Sequence, residues 1–424
     1  MKPRNKYERQ VATSNEKLTA IPDKAVNWAV KNLIEHPAFR TSGYKCMCGD
    51  CGKPFDYNGK GKYVCCPHCG GRLKVTDTLK RKLETAVYFS VLQAIDGLQV
   101  QRTFLLKVTF QKGKVKQEAH DEVFRLWLNA KGKFAVTARM RTTGYYLDSF
   151  SWSSDIELRQ FTEVHWQLAN NNLYPRYSAI SELRRNGLKG KLPDCHPARL
   201  MKLLLTDTRI ETMMKAGNYK AVIYYASNLP ALDLCWNAYK IAKRHGYEPE
   251  YYQLWSDTIR LLDKLGKDIR STKYICPDNL KAAHDRWLKK VNDAEEKRRN
   301  RELMQRAKKC EAEFYEKKSC FFDIVIKDND LEITVLNSLE AYQTEGEHLH
   351  HCVFQCEYYT KTDSVILSAH DHNGNRIETV EFSLTEGKVV QSRGICNSNT
   401  KYHDRIIELV NSNAHRFMEA KKTA

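Results

Sequence analysis

Hydrophobic and polar positions change period along the chain, and each change predicts a different kind of element. Val26, Ala29, Val30 and Leu33 recur at helical spacing behind Pro22, which suits a first turn, so a packing helix with Trp28 on its core side is predicted there. Residues 88–95 and 98–108 are rich in strand formers and flank Asp96-Gly97, the signal of a type I′ hairpin. Residues 124–128 and 134–138 flank Asn129-Ala130-Lys131-Gly132, extending the prediction to an antiparallel sheet over about 80–160. Its outward side would carry Lys107, Arg125, Arg139 and Arg141 as solvated charges or phosphate contacts.

The breakers Asn170-Asn171-Asn172 and Gly187-Leu188-Lys189-Gly190-Lys191-Leu192-Pro193 end this pattern, and the period then moves towards 3.6. Leu232, Cys235, Trp236, Tyr239 and Ala242 form one stripe stopped by Gly246. Pro249 opens a second, with Tyr252, Trp255, Ile259 and Leu262, stopped by Gly266, and the pair predicts an αα-hairpin. Residues 286–318 lack Pro and Gly and carry twelve Lys and Arg against seven Asp and Glu, which predicts a long exposed helix with a narrow seam of Leu303, Ala307, Cys310 and Phe314. Beyond it, strands at 365–367, 379–382 and 389–394 follow a short helix and precede a closing helix from about 403 to 418. The fold class expected is α+β and multidomain: an N-terminal helix (1–43), a zinc ribbon (44–78), an antiparallel β region (79–165), a helical region (166–318) and a small α+β domain (319–424).

Composition narrows the function classes. With 42% hydrophobic and 28% charged residues over 424 positions, the chain is globular in type, and no apolar run is long enough to span a membrane. The basic N-terminus is not followed by an apolar segment, so no secretory signal is expected and the expected address is cytoplasmic. A formal charge of +18 favours polyanionic partners.

Six of the fourteen cysteines lie between Cys46 and Cys69. Cys48-Gly49-Asp50-Cys51-Gly52 and Cys66-Pro67-His68-Cys69-Gly70 are two CxxCG knuckles separated by fourteen residues. Two thiolates separated by two residues bind one ion from a tight turn, and a second knuckle completes a tetrahedron, so Cys48, Cys51, Cys66 and Cys69 are the expected ligands of a structural Zn²⁺. Cys46, Cys65 and His68 are spare candidates. Four thiolates leave no open position, which makes the site a staple and not a catalytic centre. Between Arg40 and Lys82 ten cations face Asp50, Asp56 and Asp77, so phosphate contact is expected through Lys53, Lys60, Lys62, Arg72 and Lys74, with a solvated basic surface as the plainer reading.

Five of the fourteen histidines fall between His348 and His372. Sequence neighbours on a helix point about 100° apart, which disfavours a His351–Cys352 dyad, while His348 at i−4 to Cys352 leaves a His348–Cys352 dyad or a metal site open. A partly buried thiol and a hydrogen-bonded structural histidine account for the same residues. Glu381 alternates with Val380 and Phe382 and is expected to pair across the sheet with Arg393, giving a pocket for phosphate or an activated water, or a salt-bridged sheet face. His348, His351, Cys352, Glu381 and Arg393 are thus the catalytic candidates.

The string Glu345-Gly346-x-x-Leu349-x-His351-Cys352-Val353, the Thr379-x-Glu381 strand and Gln391-x-Arg393-Gly394-x-x-Asn397 resemble the PcfJ-like family of conjugative plasmids, integrative elements and phages. The knuckles, the Gly97-x-Gln99-Val100-x-Arg102 strand and the helical middle are similar to longer members. Ser368-Ala369-His370 departs from the pattern, which would place an Arg after the Ser. The resemblance implies a mobile-element setting and no particular reaction. The leading expectation is a zinc-containing nucleic-acid-binding accessory protein of such an element. The alternatives are an enzyme acting on nucleic acid or a nucleotide through the C-terminal pocket, and a scaffold for protein partners of the element. No Walker loop, HExxH or GxSxG motif is present.

Overall fold

The computed structural model describes residues 2–142, 149–169 and 172–423, so the Asn170-Asn171 part of the expected breaker lies outside the described residues. The chain divides into two compact units, residues 1–284 and 285–424, and the described residues form three five-stranded sheets.

In the first unit the knuckles build a ribbon from β1 (Pro37–Ser42), β2 (Lys45–Cys48), β3 (Pro54–Asp56), β4 (Tyr63–Cys65) and β5 (Arg72–Asp77), in the order β3-β2-β1-β5-β4. The hairpins β2–β3 and β4–β5 are antiparallel and are joined through the parallel pair β1–β5. His36 links this ribbon to the preceding Asp23–Leu33 helix: its Nδ1 donates to Asp50 at 2.6 Å and its Nε2 to the Val30 carbonyl at 2.9 Å. Both ring nitrogens face acceptors, so the imidazole is held as a cation; the Asp50 bond raises its pKa above the ordinary value against the opposing effect of burial.

The second sheet is a meander of β6 (Lys82–Ile95), β7 (Leu98–Gln111), β8 (Gln117–Leu128), β9 (Phe134–Ala138) and β10 (Glu157–Arg159). Asp96 and Gly97 both take positive φ, 50° and 73°, as a type I′ turn requires. Lys107 is exposed as expected, but the solvated face is corrected at Arg125 and Arg139. Between Thr103 and Phe104 the β7–β8 register slips by one residue, and this bulge brings Glu122 and Arg125 to the same side. Glu122 Oε1 and Oε2 accept from Arg102, which is 2% exposed, and from Arg125 at 2.7–2.9 Å, so Arg125 belongs to a buried ion network. Arg139 is spent on the carbonyls of Glu122, Trp152 and Ser154, and Lys107 lies 4.8 Å from the Trp152 ring. Helices Asp23–Leu33 and Lys6–Glu16 cover the sheet, with Ala29 and Val30 against Phe89 and Leu106, and Val11 against Trp127. The predicted αα-hairpin is present as Leu229–Arg244 and Tyr252–Lys264, with Cys235, Tyr239, Trp255 and Ile259 in one core.

The charged stretch divides into two helices, Leu280–Lys309 and Glu311–Lys318, because Cys310 leaves helical geometry (φ −97°, ψ 2°). In the second unit the expected seam is used: Ala307 and Phe314 are buried with Leu339, Tyr342 and Tyr359. The third sheet has two more strands than predicted, β11 (Val325–Lys327) and β12 (Leu331–Val335), before β13 (Ser364–Asp371), β14 (Arg376–Ser383) and β15 (Lys388–Gly394). Val365, Leu367, Val380 and Phe382 face Ile406, Val410 and Phe417 of the closing helices, His403–Ser412 and Ala414–Thr423, which are separated at Asn413. Ile366 faces the opposite way, towards the Leu339–Leu349 helix. Among the described residues no helix is long and apolar enough to cross a membrane.

Candidate functional site

The four knuckle sulfurs lie within 4.8 Å of one another. Cys48 and Cys69 Sγ are 3.8 Å apart, as are Cys51 and Cys66 Sγ. A tetrahedron with metal–sulfur bonds of about 2.3 Å has edges of roughly 3.8 Å, so the donor set fits one tetrahedral ion. Backbone N–H groups of Cys51 and His68 donate to Cys48 and Cys66 Sγ at 3.4 Å, which supports thiolate charge. Gly52 and Gly70 take φ of 72° and 71°, and each returns its N–H to the first cysteine carbonyl of its knuckle, a turn that favours glycine. The spare candidates are not ligands: Cys46 packs into the ribbon core, Cys65 is exposed, and His68 Nε2 donates to the Pro54 carbonyl at 2.9 Å.

Of the expected phosphate contacts, Lys53, Lys60, Lys62 and Arg72 are exposed and have no carboxylate partner among the described residues. Lys74 is paired with Glu35. Arg72 and Lys62 flank the exposed ring of Tyr63, at 4.5 and 5.9 Å from its centroid.

Four of the five C-terminal candidates, His351, Cys352, Glu381 and Arg393, meet around a pocket of about 260 Å³. His351, Cys352 and Val353 enter it from the turn after the Leu339–Leu349 helix; Thr379 and Glu381 come from β14; Gln391 and Arg393 from β15; and Asn397, Tyr358, Ile366 and Cys356 complete the wall. The helix stops because His350 adopts the left-handed conformation (φ 52°) and the chain doubles back over Gly346. A Cβ on Gly346 would sit 2.9 Å from the His351 carbonyl oxygen, so the close return needs glycine.

Behind the pocket, Glu345 is fully buried and accepts from Thr379 Oγ1 (2.7 Å), Ser368 Oγ (2.8 Å) and Arg376 Nε (2.9 Å). The Thr379 hydroxyl has one hydrogen and gives it to Glu345, so it must accept from His351 Nε2 at 2.7 Å. The network therefore assigns His351 the Nε2–H tautomer, leaving Nδ1 as the proton acceptor. Burial lowers the His351 pKa, outweighing the opposite pull of Glu345, and keeps the ring neutral. Because the folded pKa lies below the unfolded value, the folded state binds fewer protons, and stability falls as pH drops below about 6.5. His351→Gln should reduce the loss of melting temperature between pH 7 and pH 5; an unchanged difference would contradict this assignment.

Two expected pairings are corrected. His348 does not join Cys352, because the helix ends before Cys352; His348 is exposed and its Nδ1 donates to the Thr344 carbonyl at 2.8 Å. Glu381 does not pair with Arg393, because the β14–β15 register sets Arg393 opposite Thr379 and Glu381 opposite Gln391. Glu381 instead meets Lys361 at 2.7 Å, and Arg393 Nη1 donates to Asn399 Oδ1 at 2.6 Å. Thr379 and Lys361 were absent from the sequence candidates; the signals for Thr379 were its place in the Thr379-x-Glu381 string and the alternation of β14, which puts both residues on one face.

No curated protein and no solved structure matches the chain. Residues 254–407 match the family described as PcfJ-like protein, a span that contains Glu345, Arg376 and every residue lining the pocket. The chain therefore carries a PcfJ-like domain at residues 254–407.

Proposed function

We propose that this is a zinc-containing nucleic-acid-binding protein of a mobile genetic element, which grips phosphates through the ribbon. The observation that carries this reading is the set of four exposed, uncompensated cations, Lys53, Lys60, Lys62 and Arg72, on a module stapled by four thiols. Zinc is the favoured ion because an all-thiolate tetrahedral site of CxxC knuckles suits it. Fourteen unpaired cysteines fit a reducing, cytoplasmic setting. The mobile-element setting rests on the PcfJ-like domain. Changing the four cations together to Gln should weaken binding of labelled single-stranded DNA and RNA by about tenfold or more in fluorescence anisotropy, with zinc content kept. Unchanged affinity would sink the ribbon as the contact surface.

A second reading is favoured by the C-terminal pocket. A neutral histidine with an acceptor nitrogen, oriented through a hydroxyl by a buried carboxylate, is the arrangement of a general base. On this reading the domain acts on a nucleotide or a nucleic-acid strand, with His351 moving a proton at Nδ1 while Glu345 and Thr379 position the ring. Cys352 lines the pocket but makes no hydrogen bond to His351 among the described residues, which favours the imidazole over the thiol as the working group.

A further inference from the structure

The charges around the C-terminal pocket do not cancel. Glu345 is taken by Arg376 and Glu381 by Lys361, so both carboxylates are already compensated. Arg393 lines the same pocket, yet it is held by the neutral amide of Asn399, and no carboxylate pairs with it among the described residues. That bond uses Nη1, which leaves the Nε and Nη2 donors available. His351 adds an acceptor nitrogen without adding negative charge, and the side-chain amides of Gln391 and Asn397 line the same wall.

The rim supplies an independent sign of constraint. Cys396 and Asn397 are consecutive non-glycine residues with φ of 53° and 61°. Non-glycine backbone held in this region is strained and gathers at binding sites.

A half-buried guanidinium facing a pocket without a counter-charge calls for an oxyanion, and its planar fork matches phosphate. We propose that the pocket binds a phosphate monoester at the level of a single nucleotide, with Arg393 on the phosphate oxygens and the Tyr358, Val353 and Ile366 wall against the nucleoside. At about 260 Å³ the space admits one nucleotide and not a duplex. The phosphate monoester is common to a free nucleotide and to the phosphorylated end of a strand. The inference shares its pocket with the second reading but requires no turnover, and it is independent of the ribbon.

Titration calorimetry of the full chain with adenosine 5′-monophosphate, adenosine, inorganic phosphate, and a dinucleotide with or without a 5′-phosphate tests it. The monophosphate should bind, adenosine should bind at least about tenfold more weakly, and Arg393→Gln should remove that preference with the melting temperature kept. Arg393→Lys, which keeps the charge and loses the fork, should fall between the two. Stronger binding of the 5′-phosphorylated dinucleotide than of the mononucleotide assigns the ligand to a strand end, and the reverse assigns it to a free nucleotide. Equal binding of adenosine and its monophosphate, binding indifferent to Arg393→Gln, or no phosphate ester bound at millimolar concentration overturns the proposal. The four-cation ribbon variant should bind the monophosphate as the natural protein does, so failure of the ribbon reading and failure of this one give different results.

Discussion

Cys66→Ser should empty the metal site and unfold the ribbon. The ribbon core consists of few buried residues, Ala38, Cys46, Cys48, Phe55, Cys66 and Leu73, and three of its five strands are four residues long or shorter. So small a core does not hold strands together unaided, and structural zinc contributes on the order of 10 kcal/mol of binding free energy to such modules. Elemental analysis should give one zinc per natural chain and close to none per variant. Amide exchange over residues 37–77 should rise to that of unstructured chain. A chelator acting on the natural protein should reproduce both effects. Retained zinc, or retained protection without it, would show that the four thiols do not staple the module.

Glu345→Ala should be the most damaging single change in the C-terminal unit. It removes the acceptor shared by Thr379, Ser368 and Arg376 and leaves the two hydroxyls without it. Breaking a buried ion pair from one side costs about 3–5 kcal/mol, and because the Arg376 side chain is 29% exposed and regains water, the lower end is expected. Glu345→Gln preserves the shape but turns an amide N–H₂ towards donors, and should cost about 1–3 kcal/mol. Denaturant melts of both variants check the order. A Glu345→Ala loss under about 1 kcal/mol would mean that the network does not hold His351.

The sequence carried local chemistry well and long-range pairing poorly. The knuckles, the Asp96-Gly97 turn and the two apolar stripes of the αα-hairpin were legible because each lies within a few residues and has one physical solution. Arg125 was misplaced because a bulge shifts the β7–β8 register, and nothing in the alternation announces that slip. The partner of Glu381 was misread for a different reason: Arg393 stands opposite Thr379, and the cation that meets Glu381 is Lys361, which precedes β13 and lies outside the β14–β15 pair. β11 escaped notice because it has three residues and is separated from β12 by an Asp328 turn, in which Oδ1 accepts from the N–H groups of Asp330 and Leu331. The pocket residues were legible as a family string, but the string did not reveal that Glu345 supports His351 through Thr379, because that chain of contacts spans a helix and a strand 34 residues apart.

Binding of nucleic-acid phosphates by the ribbon should depend steeply on salt. The full-length protein and labelled single-stranded oligonucleotides are followed by anisotropy as salt is raised. Four free cations on a single strand predict a fall of log K against log salt with a slope of roughly −3, reduced towards zero in the four-cation variant. Affinity that does not respond to salt, or no binding at low salt, would contradict phosphate recognition by the ribbon and leave the +18 charge without a polyanionic partner.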